Sequence, residues 1–307
     1  MIRTLKNTSL LFCEDSPYYT NMLGIVVDWV IFLVGRPEVC LACHALLNLV
    51  KKETAAPIFA INLLLSDLIQ IGLSVVFIIT RFFDATFEPF IKVRCMARMF
   101  VRLGLTSSLG FMLLISVERY LMVACPLWYH TNNNAKFTIL ISVCMWTLSL
   151  AYCSLDFVLL SHRYSLFLFS ITCLLPAPFL VGLFIATWKA LNNSTAMRHE
   201  KKNRRRVLGV LSLVLVTYIV LFCPFSVRNL YYSLKDDSTE DSAREWSGIL
   251  TTALLYISPL IDCFIYIFIR KDIMDTIEAF PCCKKPLMKL KEFQEKVSGT
   301  SQTETTF

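Results

Sequence analysis

The ionisable side chains that could do chemistry in this chain stand inside apolar runs. Arg94, Arg98 and Arg102 recur every fourth residue, a repeat that puts the latter two roughly on one helical face. Guanidinium groups bind carboxylate and phosphate bidentately, so such a pair suits a small anion. Asp67 lies among Leu and Ile in "NLLLSDL" (Asn62 to Leu68), where a carboxylate must be protonated, paired or bound to a cation, because an unpaired buried charge is expensive. Glu118 and Arg119 adjoin in "ISVERYLMVACPL" (Ile115 to Leu127), where the two charges are expected to pair and partly offset their desolvation, and Asp262 heads "DCFIY". The chemistry on offer is ion pairing and ion capture, and no enzymatic activity is expected.

The elements that position these residues follow from composition. The chain has 307 residues, 56% hydrophobic and 17% charged, so the charge is concentrated in a few places. Windows of about twenty mostly apolar residues, enough to cross a bilayer core of ~30 Å, fall near 22–49, 56–80, 96–125, 137–160, 165–191, 206–233 and 247–269. These seven helices lack the polar faces of a soluble bundle. The net charge of +7 therefore speaks to orientation, and no nucleic-acid partner is expected. Lys and Arg load the joints after helices one, three and five, most heavily at Lys201, Lys202, Arg204, Arg205 and Arg206, while the joint after helix six is acidic. The positive-inside rule then puts the N-terminus outside and the C-terminus inside. The first long apolar run begins near Met22, so the first helix is expected to direct insertion. That helix carries Asp28, Arg36, Glu38 and His44, which either face a polar interior or leave it marginal. Of the 12 cysteines, Cys40, Cys43, Cys144, Cys153, Cys173, Cys223 and Cys263 sit in apolar runs, as small buried hydrophobes do.

Seven spans with a Glu-Arg-Tyr (Glu118, Arg119, Tyr120) at the inner end of the third resemble the rhodopsin-like G-protein-coupled receptors over nearly the whole chain. "NLLLSDL" looks like that family's Asn-Leu-x-x-x-Asp-Leu, Trp146 like its fourth-helix tryptophan, Pro176 like its fifth-helix proline, and "LFCPF" like its sixth-helix bend with Phe222 and Pro224. "DCFIY" resembles Asn/Asp-Pro-x-x-Tyr, with Cys263 at the proline position and Tyr266 closing the motif. The resemblance implies a seven-helix bundle followed by an amphipathic eighth helix, a plasma-membrane location, and coupling to a heterotrimeric G protein with arrestin as a further partner. It implies that Glu118, Arg119, Tyr120, Phe222, Pro224, Asp262 and Tyr266 form the activation machinery. Asp67 would hold an allosteric sodium ion with Ser108 and Asp262; a structural hydrogen-bond network there is the alternative. No other cofactor is implied.

Arg102 lies seven residues past Cys95, about 10 Å below the rim at ~1.5 Å per residue, too deep to snorkel easily. It should pair with a protein carboxylate or meet an anionic ligand. Arg94 reads as a snorkelling end residue, and Arg81 and Arg228 as pointing toward the same mouth as Arg98 and Arg102. "PFSVRNLYYSLK" from Pro224 resembles the sixth helix of purinergic nucleotide receptors, with Ser226 in place of a His. Similar basic linings occur in hydroxycarboxylic-acid, eicosanoid and lysophospholipid receptors. A nucleotide, carboxylic acid or acidic lipid is the expected ligand class. Tyr256 stands where an opsin would carry its retinal lysine.

Several positions depart from the family. "GRPEV" puts Val39 where an Asn belongs, and the joint around "SHRY" between helices four and five is very short and holds no Cys. In the family Cys95 would be disulfide-bonded; here its partner is Cys13, or it is a free thiol. These departures admit a receptor-like protein that no longer signals as a second reading, and an ion-coupled transporter as a third, disfavoured because no internal repeat is visible.

The chain thus divides into an extracellular N-terminus (1–21), the seven-span domain (22–269), an amphipathic membrane-surface helix (270–281) and a cytoplasmic tail (282–307). Asn7 heads a glycosylation acceptor, Asn7-Thr8-Ser9. Cys282 and Cys283 are placed for palmitoylation on the membrane lipid, and the closing "ETTF" fits a PDZ-domain partner.

Overall fold

Prolines set the breaks in an otherwise helical chain. The computed structural model describes residues 22–52, 58–81, 88–132, 135–159, 162–192, 198–234 and 242–269, and, within these, the side chains of Glu38, Val39, His44, Arg81, Cys263 and Tyr266 are among those it leaves undescribed. The first three spans are α1 (Met22–Lys52), α2 (Ile58–Arg81) and α3 (Glu88–Ala124). Pro126 opens the short α4 (Pro126–Asn132), using the first-turn position where its missing N–H costs nothing. The fourth span is α5 (Ala135–Leu159). The fifth is α6 (His162–Leu174) and α7 (Pro176–Asn192), divided at Leu175. The sixth joins α8 (Arg198–Thr217) through a π-helical turn at Tyr218–Phe222 to α9 (Cys223–Leu234), and the seventh is α10 (Ser242–Tyr256) and α11 (Ser258–Ile269), divided at Ile257 just before Pro259.

The seven spans agree with the apolar windows to within a few residues at most ends. Five of them are long and apolar enough by length and composition to cross a membrane. The exceptions have visible causes: α1 carries Asp28 and Arg36, and the seventh span is broken at Ile257. The first span nonetheless runs unbroken through Pro37. It buries Asp28 at 2% exposure and lays the Arg36 guanidinium 4.1 Å from the Phe32 ring centroid. Asp28 thus faces the interior, while the side chains of Glu38 and His44 lie outside the described ones. Residues 160 and 161 alone separate the fourth and fifth spans.

Polar side chains are set inside an apolar core while the exterior is greasy, as suits a bundle in hydrocarbon. Ser66, Asp67, Ser107, Ser108, Ser116 and Asp262 are at most 1% exposed, while Leu148, Phe179 and Val227 are 64%, 58% and 57% exposed. Buried hydroxyls return their protons to their own helices, as Ser66 does to the Leu63 carbonyl at 2.6 Å and Ser116 to Met112 at 2.8 Å. These hydroxyls are thus satisfied without breaking the backbone ladders that lipid would not repair.

α2 packs along α3, and Gly104 lies tight against it. A Cβ there would lie 2.8 Å from Gln70 Cγ and 3.1 Å from the Ser66 carbonyl oxygen, a backbone atom that cannot swing aside. Gly104→Val should lower stability by about 1–3 kcal/mol, the usual overpacking cost. A thermal unfolding midpoint in detergent equal to that of the parent chain would show that the two helices part without strain.

Candidate functional site

Consecutive spans alternate in direction, so the outset of α3, the end of α5, the start of α6 and the end of α9 share one end of the bundle. That end is marked by Cys95, and the opposite one by Arg119. At the Cys95 end α3 begins at Glu88, ahead of the expected window, so Arg94 lies in its second turn. Arg94 is 8% exposed, and its Nη2 donates to the Thr80 carbonyl at 3.0 Å. It caps the end of α2 and does not snorkel, correcting the expectation from sequence. Cys95 is disulfide-bonded. The proposed partner Cys13 lies outside the described residues, as do Asn7, the 270–281 helix, Cys282, Cys283 and the "ETTF" tail.

Two turns deeper, Arg102 forms an ion pair with Asp156 of the fourth span through its Nη1. The same nitrogen donates to Ser165 Oγ of the fifth span at 2.7 Å. The Phe169 ring lies under the guanidinium carbon at 5.0 Å and meets Phe225 edge-on at 5.8 Å. One arginine therefore ties three spans together. Asp156 is 4% exposed and Arg102 28% exposed, so the pair joins a buried carboxylate to a partly exposed arginine. The sequence left Arg102 between a protein carboxylate and a ligand; the carboxylate is present and is Asp156. Nothing in the spacing pointed to Asp156, which lies 54 positions away on another helix. Arg98 is half-buried one turn above.

Arg228 is not brought into this cluster. Its Nε donates to Ser247 Oγ at 3.1 Å, its Nη1 to Asn229 Oδ1 at 2.9 Å, and its guanidinium carbon lies 5.0 Å from the Tyr232 ring centroid. The sixth and seventh spans hold it between them, against the expectation that it shares a mouth with Arg102. Arg81 ends α2, and its side chain lies outside the described ones.

In mid-bundle, Ser108 Oγ donates to Asp262 Oδ2 at a long 3.5 Å. Asp67 and Asp262 are near enough for their charges to interact. Asp262 is fully buried, and its Oδ1 has no hydrogen-bond partner among the described residues. The break at Ile257 ahead of Pro259 places the seventh-span bend one turn before Asp262, which accounts for a bend without a proline at Cys263. On the far side of α2, Trp146 Nε1 donates to Asn62 Oδ1 at 2.9 Å and fixes the fourth span.

The sixth span carries its own irregularity. Pro224 cannot donate to a carbonyl one turn back, and the preceding turn widens so that the Cys223 N–H reaches the Tyr218 carbonyl. Phe222 stacks on Tyr218 at 6.0 Å and 14°, and the Tyr218 hydroxyl donates to the Cys173 carbonyl of the fifth span. Phe222 and Tyr218 are both fully buried, so the aromatic pair ties the π turn to the break at Leu175.

At the Arg119 end the two motif charges do not pair with each other, contrary to expectation. Glu118 Oε1 accepts from the Tyr129 hydroxyl of α4 at 2.9 Å. Arg119 Nη1 contacts Met122 Sδ at 3.3 Å, and its Nε has no hydrogen-bond partner among the described residues. Adjacent residues on a helix point about 100° apart, and α4 offers Glu118 a better-placed donor. Tyr120 is half-buried, and the Tyr266 side chain lies outside the described ones.

Comparison with known proteins agrees with this geometry. The family described as "7 transmembrane receptor (rhodopsin family)" matches residues 39–266. The chain is 27% identical over 273 residues to free fatty acid receptor 3 of Rattus norvegicus, covering 78% of this chain and 82% of that protein. It is 28% identical over 287 residues to the Homo sapiens free fatty acid receptor 3, covering 83% and 79%. Proteinase-activated receptor 2 of Rattus norvegicus is 24% identical over 294 residues, covering 86% and 73%. The relatives are receptors, which sets aside the transporter reading. With seven spans, buried polar side chains between them and a family match over most of its length, the chain belongs to the rhodopsin family of seven-transmembrane receptors and is a multi-pass plasma-membrane protein.

Proposed function

We propose that this receptor binds a small organic anion between its spans at the Cys95 end and passes the signal to a heterotrimeric G protein at the Arg119 end. The observation that carries the reading is Arg102: Asp156 and Ser165 hold one of its nitrogens, while the side chain remains 28% exposed. A fork oriented by a fixed carboxylate has donors left over for a second, incoming one. Arg98, one turn toward the rim, adds positive charge on the approach. Relatives named free fatty acid receptors support a carboxylic acid within the anionic class. The orientation follows from the basic joints: the Cys95 end is extracellular and the Arg119 end cytoplasmic.

The mid-bundle carboxylates fit a sodium ion. Asp262 Oδ1, buried without a hydrogen bond among the described residues, lies near a second carboxylate and the Ser108 hydroxyl, an all-oxygen set of the kind hard cations take. When bound, the ion would supply the countercharge that Asp67 and Asp262 together need. Phe222, Pro224 and the π turn form the pivot between the two ends. Arrestin and a PDZ-domain protein remain proposed partners of the cytoplasmic face and tail.

The test is G-protein nucleotide exchange driven by the purified receptor against carboxylic acids, nucleotides and acidic lipids, with neutral and cationic analogues beside them. An anion should activate, and its uncharged isostere should not. Activation by a cation or a neutral compound alone would remove the anionic reading.

A further inference from the structure

The outward face of α1 carries a charge where lipid offers it no partner. Arg36 is exposed, and its guanidinium lies over the Phe32 ring, one turn toward the Met22 end. Among the described residues it has no ion pair and no hydrogen bond. A single ring face offsets only part of the cost of a cation in hydrocarbon. α2 fixes how deep that charge stands. A Cβ on the adjoining Gly35 would lie 3.1 Å from Ile71 Cδ1, so this turn of α1 meets α2 at Ile71. Ile71 is ten residues from Arg81 and thirteen from Ile58, the two ends of α2, about 15 Å and 20 Å at ~1.5 Å per residue. Arg36 is thus rooted deeper than Arg102. Lying along Phe32 it rises by one turn, about 5 Å, which leaves the charge below headgroup level.

The residues around Arg36 form a row suited to another helix. Val26, Trp29 and Leu33 are 56%, 39% and 62% exposed, and Arg36 and Cys40, both exposed, continue them. The steps along this row alternate between three and four residues, the spacing by which side chains of one helix interleave with those of a neighbour. Pro37 beside it does not interrupt the helix. The inward face of α1 is already taken, with Val27, Asp28 and Ile31 each at most 7% exposed.

We propose that this face of α1 docks a membrane-spanning helix of another protein, one that carries an Asp or Glu near the middle of its span, with that carboxylate on the Arg36 guanidinium. Charge complementarity selects the partner, since a buried cation and a buried carboxylate each remove the other's penalty and the fork suits a carboxylate. Depth excludes a lipid, whose acidic head would have to leave the interface to reach Arg36. Symmetry disfavours a second copy of this chain, because a two-fold contact through the row sets Arg36 against Arg36. The surface lies outside the bundle and involves neither Arg102 nor the mid-bundle carboxylates, so its occupancy is measured without reference to signalling.

The test places the full chain in lipid vesicles with a synthetic span of about twenty leucines carrying one central Glu, beside otherwise identical spans with Gln or Leu there. Association is read by energy transfer between dyes on the receptor and on the peptide. The Glu span should bind about tenfold more tightly than the Leu span, the scale of a strong polar pair between helices in a bilayer. Arg36→Leu should bring it down to the Leu level, and Arg36→Lys should keep most of the difference. Arg36→Leu takes a charge out of lipid, so folding is not at risk in that variant. Cys40 is a free, exposed thiol on the same row, and a cysteine set one turn from the Glu should form a disulfide with it under copper phenanthroline. Equal binding of the Glu and Leu spans, equal binding of the Glu and Gln spans, or Glu binding unchanged by Arg36→Leu would each overturn the proposal. So would a cross-link that maps to the exposed Cys144 of α5 in place of Cys40, or a Cys40–Cys40 link between receptor copies that the Glu span does not displace.

Discussion

Arg119→Ala is expected to lower agonist-driven nucleotide exchange on the G protein by about thirtyfold or more, while surface expression stays near that of the parent receptor. The magnitude follows from removing one side of a charged, hydrogen-bonded contact with a partner, ~2–5 kcal/mol. Expression should persist because Arg119 contributes little to its own fold. Its neighbouring carboxylate is engaged elsewhere, with Glu118 accepting from Tyr129. Its Nη1 contact is a thioether, and its Nε is buried without a hydrogen bond among the described residues. A guanidinium so weakly held within the receptor retains its donors for a partner's carbonyls or carboxylates. Arg119→Lys separates charge from geometry, since an ammonium keeps the charge and loses the fork. Full signalling by Arg119→Ala would show that the G protein is engaged through other residues.

The second large effect concerns Arg102 and Asp156, and it should be asymmetric. Arg102→Ala leaves a carboxylate at 4% exposure without its countercharge, and breaking a buried pair in this way costs about 3–5 kcal/mol. Asp156→Ala should cost less, because Arg102 at 28% exposure can still reach water. The pair Arg102→Met with Asp156→Leu should recover most of the loss, since apolar residues of similar volume replace buried ion pairs near neutrally. Thermal unfolding midpoints of the three variants in detergent provide the comparison. The double variant also separates folding from recognition: it should be folded and blind to an anionic agonist. Unchanged agonist potency in it would place the ligand elsewhere, and equal destabilisation by the two single variants would contradict the burial difference.

Much of this protein was legible in one dimension because a bilayer imposes a one-dimensional rule. A span must be about twenty apolar residues long, so seven windows and their basic joints identified the bundle, inside which the structure buries Asp67 and Asp262. Prolines give a partial signal: Pro126, Pro176 and Pro259 stand at breaks seen in the structure, because a missing N–H acts on its own helix, whereas α1 runs unbroken through Pro37.

Pairings across helices were not legible. Arg102 could be assigned a need for a carboxylate but not Asp156 on another span, and Arg228 could be placed near the mouth but not against Ser247 and Gly248. The adjacent charges Glu118 and Arg119 invited a local pairing that α4 pre-empts by presenting Tyr129. By itself the sequence determined how many helices there are, which ends carry positive charge and which residues needed partners, because those follow from hydropathy and local backbone chemistry. Only the tertiary structure decided which partners they have, since helix rotation and crossing, set by packing such as α2 against Gly104 of α3, determine which side chains meet.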